Sequence, residues 1–187
     1  MAFTLNATHA LNIAIKSLVP PGRRVVISGY EHNAVTRPLH AIPGLSVTVI
    51  DTPPFRPDLA AEEFCRAIRQ KRPRAVICTH VSNVFGAVLP VKDIARCCRE
   101  TDTPLIVDAS QSAGVLPVDL AGWGAAFVAM PGHKGLYGPQ GTGLLLCGAE
   151  GKPLLYGGTG SMSRLQDMPP DLPDRLEPVS YTNLRAH

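Results

Sequence analysis

Charge of one sign is scarce in this 187-residue sequence. Eighteen Lys and Arg stand against 15 Asp and Glu, a formal net charge of +3. The basic residues are scattered apart from short groups such as KRPR at 71–74, so nothing forms the stripe that a nucleic-acid binder presents. Long apolar runs are also missing. The longest, such as Ala125–Met130, fall far short of the roughly 20 residues that a membrane span needs. The N-terminus lacks a basic region followed by an apolar signal core. The five cysteines are odd in number, contain no CxxC and include one adjacent pair, Cys97-Cys98. That pattern speaks against a disulfide framework, and spaced zinc ligands are absent. The expectation is a soluble cytoplasmic protein with reduced thiols and no metal, membrane or nucleic-acid partner.

What remains is ordinary globular composition with an apolar lean. Hydrophobic residues make up 45%, charged residues 18%, and mean hydropathy is +0.09, enough for one domain with a sizeable core. No internal repeat or low-complexity linker interrupts it. Ala7 to Leu18 carries apolar residues at 7, 10, 11, 14, 15 and 18, a helical stripe stopped by PPG at 20–22. Short apolar strands are expected over Arg24–Ser28, Leu45–Ile50, Ala75–Cys78, Leu105–Val107, Ala126–Met130 and Gly143–Cys147. Helices are expected over Leu59–Arg72 and Val91–Glu100. Strands alternating with helices indicate an α/β domain with a mostly parallel (mixed) sheet flanked by helices.

Ligands in such sheets collect at the carboxyl ends of the strands. Polar residues fall there four times: Glu31-His32, Ser82-Asn83, Asp108 with Gln111, and His133-Lys134. The last pair sits in AMPGHKGLYGPQGTG (129–143), which holds five glycines and two prolines. Such a stretch shapes backbone and leaves a long cation little to pack against. Asp108 follows an apolar strand directly, as a helix cap or turn residue would, or as an anion set against a cationic ring nitrogen or a metal. A lysine beside a cleft can lose its proton and form a Schiff base. An acid for a pyridinium nitrogen plus an imine-forming lysine is the equipment that pyridoxal phosphate requires.

The stretches FTLNATHALNIAI, YEHNAVTRPL, THVSNVFGAVLPV, VDASQSAGVLPVDL and MPGHKGLYGPQGTG carry a resemblance. In that order, over residues 3 to about 146, they are similar to the cysteine desulfurase branch of the class V aminotransferases. YGGTGSMSRLQDMPPDLPDRLEP extends the similarity to Pro178. The resemblance implies a fold type I large domain with pyridoxal 5'-phosphate as cofactor. Carried over residue by residue, it implies Lys134 as the Schiff-base lysine and Asp108 as the acid on the pyridine nitrogen. Gln111 and Asn83 then lie near the ring hydroxyl. His32 stacks on the ring and moves protons, and Ala7, Thr8 and His133 hold the phosphate. A helix N-terminus at Ala7 suits a phosphate. The implied reaction removes sulfur from L-cysteine, leaving alanine, in a homodimeric parent that serves a sulfur acceptor protein. Another class V reaction (an aminotransferase or a selenocysteine lyase) and a non-catalytic phosphate- or nucleotide-binding fragment are the alternatives.

The sequence also departs from that family. Pro131 stands where many desulfurases carry a serine. His9, His40 and His80 match no role and are read as structural, and Cys97 and Cys98 as packing residues on a helix. None of Cys65, Cys78, Cys97, Cys98 or Cys147 lies at the place of the family's sulfur-accepting cysteine, and its substrate-binding arginine is not matched. Residues 1–178 are therefore expected to be an incomplete cofactor-binding domain, with Met1 an internal start. VSYTNLRAH at 179–187 is expected to be a foreign tail.

Overall fold

Seven strands form one sheet in the computed structural model, which describes residues 1–159, 162 and 164–177; the expected tail at 179–187 lies outside the described residues. The elements are β1 (Ala2–Thr4), α1 (Ala7–Leu18), β2 (Arg24–Ser28), α2 (Asn33–His40), β3 (Ser46–Ile50) and α3 (Pro57–Lys71). They continue with β4 (Ala75–Thr79), α4 (Val91–Glu100), β5 (Leu105–Asp108), α5 (Leu120–Trp123), β6 (Phe127–Pro131) and β7 (Gly143–Cys147). The strand order is β1-β7-β6-β5-β4-β2-β3. Strands β2 to β6 run parallel, while β7 is antiparallel to both β6 and β1.

Alternation along the strands builds two cores. Val26, Val76, Cys78, Leu105 and Val107 face Phe64 and Ile68 of α3 and Ile94 of α4. Val25, Ile27, Ala75, Ile77 and Ile106 face Leu11, Ile13 and Ile15 of α1 and Val35 of α2. Both faces of the central strands are therefore covered, which is why they read as continuous apolar runs. Edge strand β3 is different, and Val47 and Val49 stay exposed. Among the described residues no helix is long and apolar enough to cross a membrane.

Most expected elements appear within one or two residues of their expected bounds. Helix α3 starts two residues early because Pro57 occupies its first turn, where a missing N–H is harmless. It stops at Lys71 because Arg72 takes a left-handed conformation (φ 44°) before Pro73. Elements without an expectation are short or irregular. Helix α2 contains Pro38 and buries only Ala34, Val35 and Leu39. Helix α5 is four residues long, capped by the Asp119 side chain at one end and left-handed Gly124 at the other. Strand β1 has three residues.

The cysteine reading requires correction. Cys65 of α3 and Cys97 of α4 are disulfide-bonded, with Cα atoms 5.5 Å apart. They lie 32 residues apart in sequence, and only the side-by-side packing of the two helices brings them together. Cys98 and Cys78 are buried free thiols, and Cys147 is free and half-buried. A peptide map under non-reducing conditions is expected to contain the 65–97 cross-link. Cys97→Ser is expected to lower stability by roughly 2–4 kcal/mol under oxidising conditions, and by less in excess reductant. An uncrosslinked map would refute this pairing.

Candidate active site

Because β2 to β6 are parallel, their carboxyl ends share one edge of the sheet. Helix α1 runs back against the strands, so its N-terminus reaches the same edge. A pocket of about 190 Å³ opens there. Ala7 and Thr8 from α1, His32 after β2, and Asn83 in the loop after β4 line it. Asp108 at the end of β5, Gln111 beyond it, and His133 and Lys134 after β6 complete the wall. All eight residues singled out in the sequence thus meet at one pocket, Lys134 and Asp108 included. Pro131 lines it too.

At the helix end, Asn6 adopts an extended conformation and its Oδ1 accepts from His9 N at 2.9 Å. Among the described residues the Ala7 and Thr8 N–H groups make no hydrogen bond, as expected in a first helical turn. They present a partial positive charge to the pocket. His9 supports this turn from behind, its Nδ1 accepting from Leu5 N at 3.2 Å. Burial lowers the His9 pKa, so the acceptor nitrogen stays unprotonated. Asn6 and His9 are thus structural parts of the site, in keeping with the structural reading of His9 from the sequence.

Asp108 is 3% exposed, and its Oδ1 accepts from Ser110 N at 2.9 Å, leaving Oδ2 for another donor. Asn83 and Gln111 are joined side chain to side chain, Gln111 Nε2 donating to Asn83 Oδ1. The His32 Nδ1 accepts from Ala34 N at 3.1 Å as the cap of α2. Its ring proton therefore sits on Nε2. His80 takes no part in the pocket lining: it is buried, packs edge-on against Trp123 at 5.1 Å, and burial lowers its pKa.

Lys134 stands exposed in the β6–β7 loop, without an ion pair among the described residues. Gly132 N donates to Thr142 O and Gly138 N to Gly132 O, each at 2.8 Å, closing the loop at its base. The loop also presses on the segment after Asp108. A Cβ on Gly135 would run into the Ala113 carbonyl, and one on Gly114 (φ 81°) into the Gly135 carbonyl. Two glycines facing each other let these backbones touch, which draws Lys134 toward the strand end carrying Asp108.

A glycine-dependent loop contact, a helix N-terminus and a buried acid thus converge at the parallel strand ends of an α/β sheet. The model of the family described as aminotransferase class-V matches residues 1–176, and the chain belongs to that family. It is 36% identical over 171 residues to a probable cysteine desulfurase of Methanothermobacter thermautotrophicus, covering 84% of this chain and 41% of the relative. It is 28% identical over 163 residues to a cysteine desulfurase IscS of Dictyoglomus turgidum, with the same coverage of 84% and 41%. The apo cysteine desulfurase structure from Thermococcus onnurineus NA1 superposes with a TM-score of 0.73 at 28% identity, over 84% of this chain and 41% of that one. The structure of the desulfurase CsdA from Escherichia coli gives a TM-score of 0.74 at 23% identity, over 84% and 42%, a likeness of fold. The fold is therefore the mixed, helix-flanked sheet of the fold type I large domain, as the sequence implied. The chain spans about 41% of the length of the relatives it matches.

Proposed function

We propose that this chain is the cofactor-binding part of a pyridoxal phosphate-dependent cysteine desulfurase, which removes sulfur from L-cysteine and leaves alanine. The observation that carries the reading is the meeting of Asp108, Lys134 and the α1 N-terminus at one pocket. The donor set fits the cofactor: free N–H groups suit a phosphate, a buried carboxylate suits a pyridinium, and an unpaired primary amine suits an aldehyde. When bound, pyridoxal phosphate supplies an electron sink for a carbanion at the substrate's α-carbon.

Each chain residue then has a task. Ala7 and Thr8 hold the phosphate with backbone N–H groups and a hydroxyl, and His133 assists from the opposite loop. Pro131 contributes no hydroxyl there, so the helix end carries more of that load. Asp108, with Oδ2 still available, would hold the ring nitrogen. Asn83 and Gln111, already bonded to each other, present one polar unit to the ring hydroxyl. Lys134 Nζ would anchor the cofactor and could take the α-proton from substrate, and His32 would cover the ring and move protons through Nε2.

The remaining tasks fall to the longer protein. A sulfur-accepting cysteine and a carboxylate-binding arginine are proposed to lie outside residues 1–178, which form the large domain, with 179–187 foreign to it. The full protein is proposed to be a cytoplasmic homodimer that hands sulfur to an acceptor protein. Exposed apolar side chains beside the pocket loops support pairing: Tyr137 is 94%, Val84 79% and Val115 70% exposed.

Mixing the purified chain with pyridoxal phosphate is expected to give a visible absorbance band. Borohydride should then fix the cofactor's mass on the peptide containing Lys134. Lys134→Ala should lose both signals while keeping its melting temperature, because the exposed amine supports no packing. Absence of the band, or mass fixed on other lysines only, would defeat the proposal.

A further inference from the structure

Glu31 and Ser82 are the strand-end polar residues that the scheme above leaves without a task, and Glu31 is the one that can carry a charge. As a residue it is half-buried, but its Oε2 is sealed from solvent and has no hydrogen-bond partner among the described residues. Its Oε1 accepts twice, from the Ser28 hydroxyl and from Thr79 N at 2.7 Å. Those two partners end β2 and β4, so one carboxyl pins the turn carrying His32 to the end of a neighbouring strand. Thr79 is in turn the register partner of Asp108, and His80 N donates to Asp108 O at 2.9 Å. Glu31 is therefore tied to the ends of β2 and β4, and the β4 end adjoins the end of β5 that bears the pocket's acid.

An ionised, sealed and unpartnered carboxylate oxygen is among the costliest groups a protein can bury. A proton on Oε2 removes that charge and leaves Oε1 as the carbonyl oxygen that both donors need. Asp108 opposes ionisation as well. Burial, chiefly, pushes the Glu31 pKa up to about 8, against the lowering effect of its bonds from Ser28 and Thr79. The other titratable groups near it are Tyr30 and His32 on either side of it in the chain, the Cys78 thiol on β4, kept neutral by burial, and Lys134 in the pocket wall.

We propose that Glu31 is a positioning residue of this pocket: a protonated, sealed acid that fastens the His32-bearing turn to the end of β4 and leaves Asp108 as the pocket's one anion. Its meaning for cofactor binding rests on the function proposed above. The proton itself does not, since the geometry that favours it exists in the chain alone. Ionising Glu31 would set a second buried charge beside Asp108, repel the strand end and loosen the turn.

The linkage has a definite sign. The folded pKa is raised, so the protonated clamp contributes its full stability below the ordinary carboxylate range. That contribution falls as pH rises toward about 8 and stays lost above it.

The test is a carbon-13 titration of the glutamate carboxyls in the whole chain without cofactor, each assigned through the backbone. One carboxyl, that of Glu31, should titrate with a midpoint near 8 and be missing in Glu31→Gln. The wild-type melting temperature should fall as pH rises from the ordinary carboxylate range to about 8, and that of the neutral, nearly isosteric Gln variant should fall less. Completion of the Glu31 titration below about pH 6, or equal slopes in both proteins, would overturn the inference. Should Glu31→Gln fail to fold, the wild-type titration alone still decides. A Glu31 midpoint near 8 without any pyridoxal phosphate band supports this inference while defeating the proposed function. A band with Glu31 titrating in the ordinary carboxylate range does the reverse.

Discussion

Asp108→Asn is expected to weaken pyridoxal phosphate binding by roughly 100- to 4,000-fold, with little change in thermal stability. The size follows from the cost of breaking a buried ion pair, roughly 3–5 kcal/mol, at about 1.4 kcal/mol per factor of ten. Asp108 is nearly sealed at the end of β5, so its charge is weakly screened and its pairing with a ring cation is correspondingly strong. Asparagine keeps the Oδ1 acceptor that Ser110 N uses, which is why the fold should survive within about 1 kcal/mol. Binding followed by absorbance and melting followed by circular dichroism separate the two effects. Unchanged affinity in a folded Asp108→Asn protein would remove the acid from its proposed role. The same substitution should leave Glu31 raised, because burial outranks the Asp108 charge among the causes of its shift.

The second large effect concerns backbone rather than charge. Gly135→Val is expected to destabilise the chain by about 3 kcal/mol, a fall in melting temperature of roughly 6–12 °C. It should also eliminate the absorbance band with pyridoxal phosphate. A Cβ at Gly135 meets the Ala113 carbonyl, which is backbone and cannot swing aside, and the Val115 Cγ2 at 3.1 Å. Relief requires the β6–β7 loop to move away from the segment after β5, taking Lys134 away from Asp108. Gly157→Ala is the control, since nothing lies within 4 Å of a Cβ there, and it should change stability by less than about 0.5 kcal/mol. A Gly135→Val protein that melts like wild type and still forms the band would show that this loop contact does not place Lys134.

These two positions were not equally visible in the sequence. Asp108 could be picked out because it breaks an apolar run at a strand end. The need for glycine at 135 could not, since it depends on a carbonyl more than 20 residues away. Strands such as Arg24–Ser28 and Gly143–Cys147 were legible to the residue because burial on both faces selects unbroken apolar runs. The reversed direction of β7 left no trace, as an apolar pentapeptide reads the same either way. Helix α2 was hidden by Pro38 and a short apolar face. Glu31 stood in plain view beside His32, but a carboxylate at a strand end is ordinarily solvated, and only Thr79 and the covering chain make it otherwise.

From the linear order of residues alone came the alternation of strands and helices, and with it the edge of the sheet where polar groups must gather. Local periodicity records how many faces of an element are buried, and that suffices for class; the eight pocket residues needed the family resemblance beside the polar strand ends. Packing alone decided that Cys65 meets Cys97, that β7 turns back, and that the Glu31 carboxyl is sealed. Each of those depends on contacts between segments far apart in the chain, whose partners and distances no local pattern encodes.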